Sequence, residues 1–410
     1  MRRSLEYEEI ILSGLEDDQD VLQLNCGQEH FERLFSAARA VCTGPSHSQA
    51  FDDLEDVIKI SYDRMSKGQS GWWRRMHTDA SILQALTLLN QSTYLQAIEV
   101  LDRAIIISGA TGRLDLIHAL IQDVQSEFPS PTNKGELPAP SCRLPTPKPL
   151  STALLDVPSL PFPPSLSSFR SQLSLSPFIL RGYASDWPAL TNHPWRSVRY
   201  LRAVAGPGRV VPVEVGKDYR NDDWTQRLMP WDQLLASLDF DDQTRAHVPD
   251  EMLYLAQHNL FMQFPDLRAD VAVPDYVYSG PSAPNYAPPG NDEQLVLNTW
   301  LGPGGTVSPA HTDPYFNFYV QIVGSKAVWL ASPKCSGHMY AEETPAISNT
   351  SRVDVFATQE GSHDYPAFWD EVVPGAMSAT LQPGDMLFFP PGWWHAMRAN
   401  ETSFSVSMWF

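Results

Sequence analysis

Apolar residues recur three and four positions apart through the first part of the chain and two apart through the last, so helices give way to strands. The segments Ala80-Ser81-Ile82-Leu83-Gln84-Ala85-Leu86-Thr87-Leu88-Leu89 and Tyr94-Leu95-Gln96-Ala97-Ile98-Glu99-Val100-Leu101 carry the helical spacing. Leu114 to Ile121 adds a further helix after the breaker Gly109-Ala110-Thr111-Gly112. No fixed period emerges that would establish a repeat. Residues 1–128 therefore read as a helical domain that packs on the rest of the chain or recruits a protein partner.

From Pro129 to Pro164 eleven prolines interrupt any regular element. This stretch, 129–164, reads as a linker, part of it draped over the second domain. Beyond it the period changes. Phe178-Ile179-Leu180 and Val210 to Val215 are short strands, and past residue 290 strand signals dominate: Gln294 to Trp300, Phe316 to Val323, and Lys326 to Leu330. The last residues, Thr402 to Phe410, alternate Phe404, Val406, Met408 and Phe410 with Ser403, Ser405, Ser407 and Trp409, which predicts a half-buried strand. Short strands punctuated by Gly and Pro give a double-sheet jelly roll of the cupin type over residues 165–410, with helices at its edge. The fold class is α+β in two parts.

Composition narrows the chemistry. The chain of 410 residues is 43% hydrophobic with twelve Trp, fourteen Tyr and eighteen Phe, enough for a substantial core. A formal net charge of -19 argues against direct nucleic-acid binding and favours encounter with a basic protein. Cys26, Cys42, Cys142 and Cys335 are widely spread, so neither a disulfide framework nor a structural zinc site is expected. The start lacks a signal peptide's apolar run, and no stretch reaches the roughly 18 apolar residues of a membrane span. A soluble, non-secreted protein of the nucleus or cytoplasm fits. Arg2-Arg3 and Arg74-Arg75 are short basic pairs, not a clear import cluster.

The candidate chemistry lies at His311-Thr312-Asp313 and, far downstream, His395. Two imidazoles and one carboxylate can occupy one face of an octahedral metal and leave the other open for a cosubstrate and dioxygen. In an extended strand His311 and Asp313 point the same way, as would Asn317 and Gln321. The turn at Gly324-Ser325 is expected to reverse the chain and set Lys326 on the neighbouring strand near Asn317. A lysine facing a barrel interior needs an anion, and the distal carboxylate of a 2-oxo dicarboxylic acid supplies one. His258 reads as satisfying a local hydrogen bond, His363 as a surface residue, and acidic runs such as Glu16-Asp17-Asp18 as solvated faces.

The block from Trp300 through His311-Thr312-Asp313-Pro314, then Asn317, Val323-Gly324-Ser325-Lys326 and Gly392-Trp393-Trp394-His395, resembles the Jumonji-C (JmjC) oxygenases. Val211 to Gly216 and Tyr254 to Phe261 resemble one branch, described both as histone lysine demethylase and as protein arginyl hydroxylase. The resemblance covers roughly residues 175–410. It implies Fe(II) held by His311, Asp313 and His395, and 2-oxoglutarate held by Tyr254, Ser308, Asn317 and Lys326. It also implies a substrate side lined by Glu214, Trp224 and Trp300. A carboxylate and two indole faces suit a cationic side chain, and a planar guanidinium best. The implied activity is hydroxylation of an arginine carbon in a basic protein or histone tail. Two alternatives stand beside it: N-methyl-lysine demethylation by the same chemistry, and a non-catalytic cupin scaffold. A cupin enzyme working without a 2-oxo acid would leave Lys326 and Tyr254 without a carboxylate partner. Gly337 to Phe368 matches least and is expected to help shape the peptide entrance.

Overall fold

A computed structural model describes residues 2–43, 47–69, 71–128, 150–216, 220, 224–241, 243, 251–281, 286–357 and 364–410. His363 and the first part of the Pro-rich stretch lie outside the described residues.

Among the described residues seven helices build the N-terminal region: α1 (Arg2–Asp17), α2 (Gln19–Cys26), α3 (Gln28–Thr43), α4 (His47–Ser66), α5 (Gly71–Asn90), α6 (Tyr94–Ser108) and α7 (Leu114–Gln125). The spacing that predicts helices over Ala80–Leu89 and Tyr94–Leu101 places these segments in α5 and α6. Helix α5 is buried around most of its circumference, so its polar residues must find partners inside the unit. Asp79 accepts from Arg75 Nε at 2.8 Å and Arg113 Nε at 2.9 Å. Thr78 pairs with Ser108 at 2.8 Å, and His77 Nδ1 with Ser61 at 3.1 Å. Gly109 ends α6 in the left-handed conformation at φ 69°, as a helix-terminating glycine does. One compact unit gathers Met1–Thr132 with Ala205–Pro212 and Leu228–Asp232. Within it the buried Arg209 guanidinium grips Asp102 through two bonds of 2.8 and 2.7 Å, and Val210 N adds a third at 2.9 Å.

The second unit holds a double-sheet cupin-type fold. In chain order the strands are β1 (Leu155–Asp156), β2 (Ser159–Leu160), β3 (Phe178–Leu180), β4 (Val210–Val215), β5 (Thr225–Pro230), β6 (Leu253–His258) and β7 (Val296–Gly302). Then come β8 (Val307–Thr312), β9 (Asn317–Val323), β10 (Lys326–Ala331), β11 (Met377–Leu381), β12 (Met386–Phe389), β13 (Trp394–Ala399) and β14 (Ser403–Trp409). They form a five-stranded sheet, β1-β11-β10-β13-β8, and a nine-stranded one, β2-β3-β12-β9-β14-β7-β6-β4-β5. The later part of the Pro-rich stretch supplies β1 and β2, each a short strand parallel to its neighbour.

Two local expectations change. Strand β14 is buried on both faces, not one. Its apolar side is roofed by an aromatic layer in which Phe318 stacks on Phe410 and Phe169 packs on Phe318 and Phe388. Its serine side faces the barrel interior, alongside Asn317, Tyr319 and Gln321 of β9. The alternation therefore marks a polar interior and not a solvent face. Likewise, the Gly324-Ser325 turn does not lead to a neighbouring strand. Strand β9 pairs with β12 and β14, whereas β10 pairs with β11 and β13, so the chain crosses from one sheet to the other. Gly324 sits at φ 66°, and a Cβ there would meet Thr402 O at 2.1 Å, so the crossing requires glycine.

Apolar residues from both sheets fill the rest of the interior: Ile179, Val328, Leu330, Leu381, Leu387, Phe389 and Met397. On the outer face of the five-stranded sheet Met339, Val353, Val355 and Phe368 pack beneath Trp329 and Trp394. The poorly matched segment thus covers that sheet with one part. With another it runs beside the histidine strand, where Thr312 N donates to Asn349 O at 3.0 Å.

Candidate metal and cosubstrate site

Strands β8 and β13 pair antiparallel with His311 opposite His395, which brings together residues 84 positions apart in sequence. The imidazole centroids are 4.2 Å apart. Asp313, just past the end of β8, lies 3.8 Å from His311 Nε2 and 3.4 Å from His395 Nε2. One ligand atom from each of the three falls within 4.8 Å of the others.

The tautomers follow from the backbone. His311 Nδ1 lies 2.8 Å from Pro309 O, and His395 Nδ1 lies 3.0 Å from Trp393 O. A carbonyl can only accept, so each Nδ1 donates and each Nε2 is left with a bare lone pair aimed at Asp313. Burial pushes His311 down to about 4, with the neighbouring His395 adding to the effect. Burial works against the Asp313 carboxylate, but the two imidazoles beside it hold it below the ordinary range. Three acceptors thus converge with no donor between them, an arrangement that a cation completes.

A second cluster lies deeper. Lys326 is 1% exposed, and its Nζ reaches Tyr319 Oη at 2.8 Å and Tyr254 Oη at 3.3 Å. Tyr254 also hydrogen-bonds Ser308, and Tyr319 bonds Ser405. Among the described residues no carboxylate is within ion-pair distance of Lys326, and burial pushes its ammonium down to about 7. Asn317 is buried with its Oδ1 unpartnered.

Ser308 and His311 are three apart, so a straight strand would send them to opposite faces. A bulge resolves this: Met397 pairs with Ser308 while His395 pairs with His311, leaving Pro309 and Ala310 opposite Ala396 alone. One cavity is then lined by Trp300, Ser308, His311, Asp313, Asn317, Tyr319, Phe389, His395 and Met397.

Residues 168–410 match the family model described as a cupin-like domain. The chain belongs to the cupin-like JmjC family. It is 33% identical to lysine-specific demethylase 8 of Danio rerio, over 95% of this chain and 93% of that protein. It is 35% identical to Jumonji C domain-containing protein 5 of Drosophila melanogaster, over 76% of this chain and 73% of that one. To the bifunctional peptidase and (3S)-lysyl hydroxylase JMJD7 of Homo sapiens it is 26% identical, over 72% of this chain and 92% of the other. JmjC relatives therefore carry both demethylase and hydroxylase names. The family typically uses Fe(II) and 2-oxoglutarate. The donor-free histidine–carboxylate triad and the anion-free Lys326 fit both groups.

On the remaining side of the JmjC barrel, Glu214 is opposite Tyr254 across β4 and β6. The Trp300 ring lies 6.2 Å from that of Tyr254, and its Nε1 donates to Ser407 Oγ at 3.0 Å. Trp224 precedes β5, with its buried Nε1 unpartnered. His258 bonds Gln263 at 2.6 Å, the local role expected of it.

Tyr319 is the residue that sequence reasoning missed. It lies between Asn317 and Gln321 on the same strand face, so the signal was present in the parity. Gln321 shares that face, but its amide is spent on Val323 O, Gly324 O and Ser403 Oγ at the crossing turn.

Proposed function

We propose that the protein is an Fe(II)- and 2-oxoglutarate-dependent oxygenase that hydroxylates an arginine side-chain carbon in a basic protein or histone tail. The observation that carries this reading is the convergence of His311 Nε2, His395 Nε2 and Asp313 beside a buried lysine that has no carboxylate partner among the described residues. The bound iron and cosubstrate supply activation of dioxygen, with oxidative decarboxylation of 2-oxoglutarate and delivery of one oxygen atom to a substrate C–H bond.

The chain's own residues do the rest. His311, Asp313 and His395 hold the metal by one face. Lys326 and Tyr254, with Ser308 on the Tyr254 hydroxyl, take the far carboxylate of the cosubstrate, and Asn317 faces its other end. Phe389 and Met397 wall the cavity with apolar surface and limit access of water. Glu214 offers the substrate cation a charge-assisted bond, and Trp224 and Trp300 offer it indole surface. An open cavity of about 780 Å³, bounded by Pro314, Tyr315, Pro391 and Trp393, leaves room for flanking substrate residues. The net charge of -19 favours encounter with a basic partner, which we place in the nucleus or cytoplasm. Among the described residues no helix is long and apolar enough to cross a membrane.

A second reading, N-methyl-lysine demethylation, has the support of the relatives named lysine-specific demethylase. Hydroxylation of an N-methyl group gives a hemiaminal that releases formaldehyde, so the same site serves either reaction. Mass spectrometry of arginine-containing and methyl-lysine histone-tail peptides after aerobic turnover separates them. A gain of one oxygen on arginine supports hydroxylation, and loss of a methyl group supports demethylation. Metal and 2-oxoglutarate binding without any turnover would make the protein a scaffold.

A further inference from the structure

The interior face of the nine-stranded sheet is ruled into rows by its register. Gln321, Ser405 and Trp300 form the row level with the crossing turn, and Tyr319, Ser407 and Asn298 the next. Asn317, Trp409 and Val296 form the row at the metal end. Asn298 is 5% exposed, and its Nδ2 has no hydrogen-bond partner among the described residues. Its neighbour across β14, Ser407, already accepts from the Trp300 indole. On the other side, Thr299 Oγ1 donates to His258 O at 2.6 Å, and the next residue, Asn259, has a buried Oδ1 that is also unpartnered. One unpartnered donor on β7 and one unpartnered acceptor just past the end of β6 thus flank the His258–Thr299 pair.

Burying a carboxamide N–H without a partner is costly, so the position makes physical sense if a ligand completes it. Neither cation proposed for the substrate can do so, because a guanidinium and a methylated ammonium have no acceptor. The distal carboxylate of the cosubstrate is accounted for by Lys326 and its two phenols. A polypeptide substrate offers both partners at once, a main-chain carbonyl and a main-chain N–H. We infer that Asn298 binds a main-chain carbonyl of the protein substrate, with Asn259 accepting a main-chain N–H. This deepens the protein-substrate reading above and rests on it. Asn298 acts as a positioning residue and takes no part in the chemistry.

The test compares wild type with N298L and N298D as the full chain loaded with Mn(II) and 2-oxoglutarate under anaerobic conditions. Binding of arginine-containing and methyl-lysine histone-tail peptides is read by fluorescence anisotropy, cosubstrate affinity by calorimetry, and Tm of the metal-free protein by scanning. Losing one hydrogen bond should weaken peptide binding about tenfold in N298L, with cosubstrate affinity unchanged. Tm of N298L should not fall, because leucine removes an unsatisfied buried donor. N298D, with an acceptor in place of the donor, should bind peptide at least as poorly as N298L. Unchanged peptide affinity in N298L overturns the inference alone. A loss confined to 2-oxoglutarate affinity overturns it in favour of a cosubstrate role, and a lowered Tm with both affinities reduced makes Asn298 structural. A wild-type protein that binds cosubstrate but neither peptide overturns the protein-substrate reading, and this inference with it.

Discussion

Lys326 and Tyr319 meet across the two sheets of the barrel, ammonium to phenol oxygen at 2.8 Å, although only seven positions separate them in sequence. The short crossing at Gly324 makes this possible, sending β9 and β10 into opposite sheets. The contact stabilises a cation that, among the described residues, no carboxylate neutralises, and the proposed cosubstrate site rests on it.

Cosubstrate affinity should therefore depend on pH. Burial holds free Lys326 near 7, and a bound carboxylate raises that value. Binding above pH 7 then requires proton uptake, so 2-oxoglutarate affinity should fall by up to about tenfold per pH unit as pH rises from 7. Below 7 this group contributes no slope. Calorimetry of the Mn(II)-loaded protein between pH 6.5 and 9 checks it, and K326M should bind weakly at every pH.

Tyr319→Phe removes the shorter of the two phenol bonds to Lys326. The KM for 2-oxoglutarate should rise about ten- to a hundredfold, the size of one hydrogen bond to a charged group, while metal affinity stays unchanged. A KM equal to wild type would mean that Tyr254 alone positions the ammonium.

Asp313→Ala leaves two imidazoles where three acceptors converged. Metal affinity should fall by at least about a hundredfold and 2-oxoglutarate turnover should be lost, both measured on protein shown to be folded by circular dichroism. Full turnover in this variant would sink the oxygenase reading.

Acid stability should report on His77. Burial pushes this imidazole down to about 4, whereas in the unfolded chain it titrates near 6.5. The unfolded state therefore binds the proton first. The stability from the neutral, buried form is full above 6.5 and is lost as pH falls from 6.5 to 4, by about 1.4 kcal/mol per unit at most. Urea unfolding of wild type and His77→Gln should show a shallower pH slope in the variant over that window.

In the same unit, Asp102→Ala strands the buried Arg209 guanidinium and an N–H of Val210. A loss of about 3–5 kcal/mol is expected in denaturant unfolding. Exposed pairs such as Lys67–Asp63 should cost less than about 1 kcal/mol when broken.

The candidate metal triad was legible in the sequence because its residue types are rare in combination and His311 and Asp313 stand two apart at the end of β8. Lys326 was legible as a cation needing an anion. Tyr319 was passed over although it shares the parity of Asn317 and Gln321, because a tyrosine in an aromatic strand reads first as core packing. The β14 alternation gave the period correctly but not the environment. Serines opposite phenylalanines look the same whether they face water or a polar barrel interior.

The sequence by itself determined what is local and chemical: helical spacing before the prolines, period two after them, and a set of side chains whose chemistry calls for a metal and a dicarboxylate. Tertiary structure alone decided what depends on distant strands meeting. It set His311 opposite His395, used a bulge to turn Ser308 and His311 inward together, and sent Lys326 across to Tyr319. It also buried both faces of β14 and left polar atoms of Asn298 and Asn259 unpaired. Register and sheet crossing are cooperative properties of many backbone hydrogen bonds and one glycine turn, and no single segment of the sequence contains them.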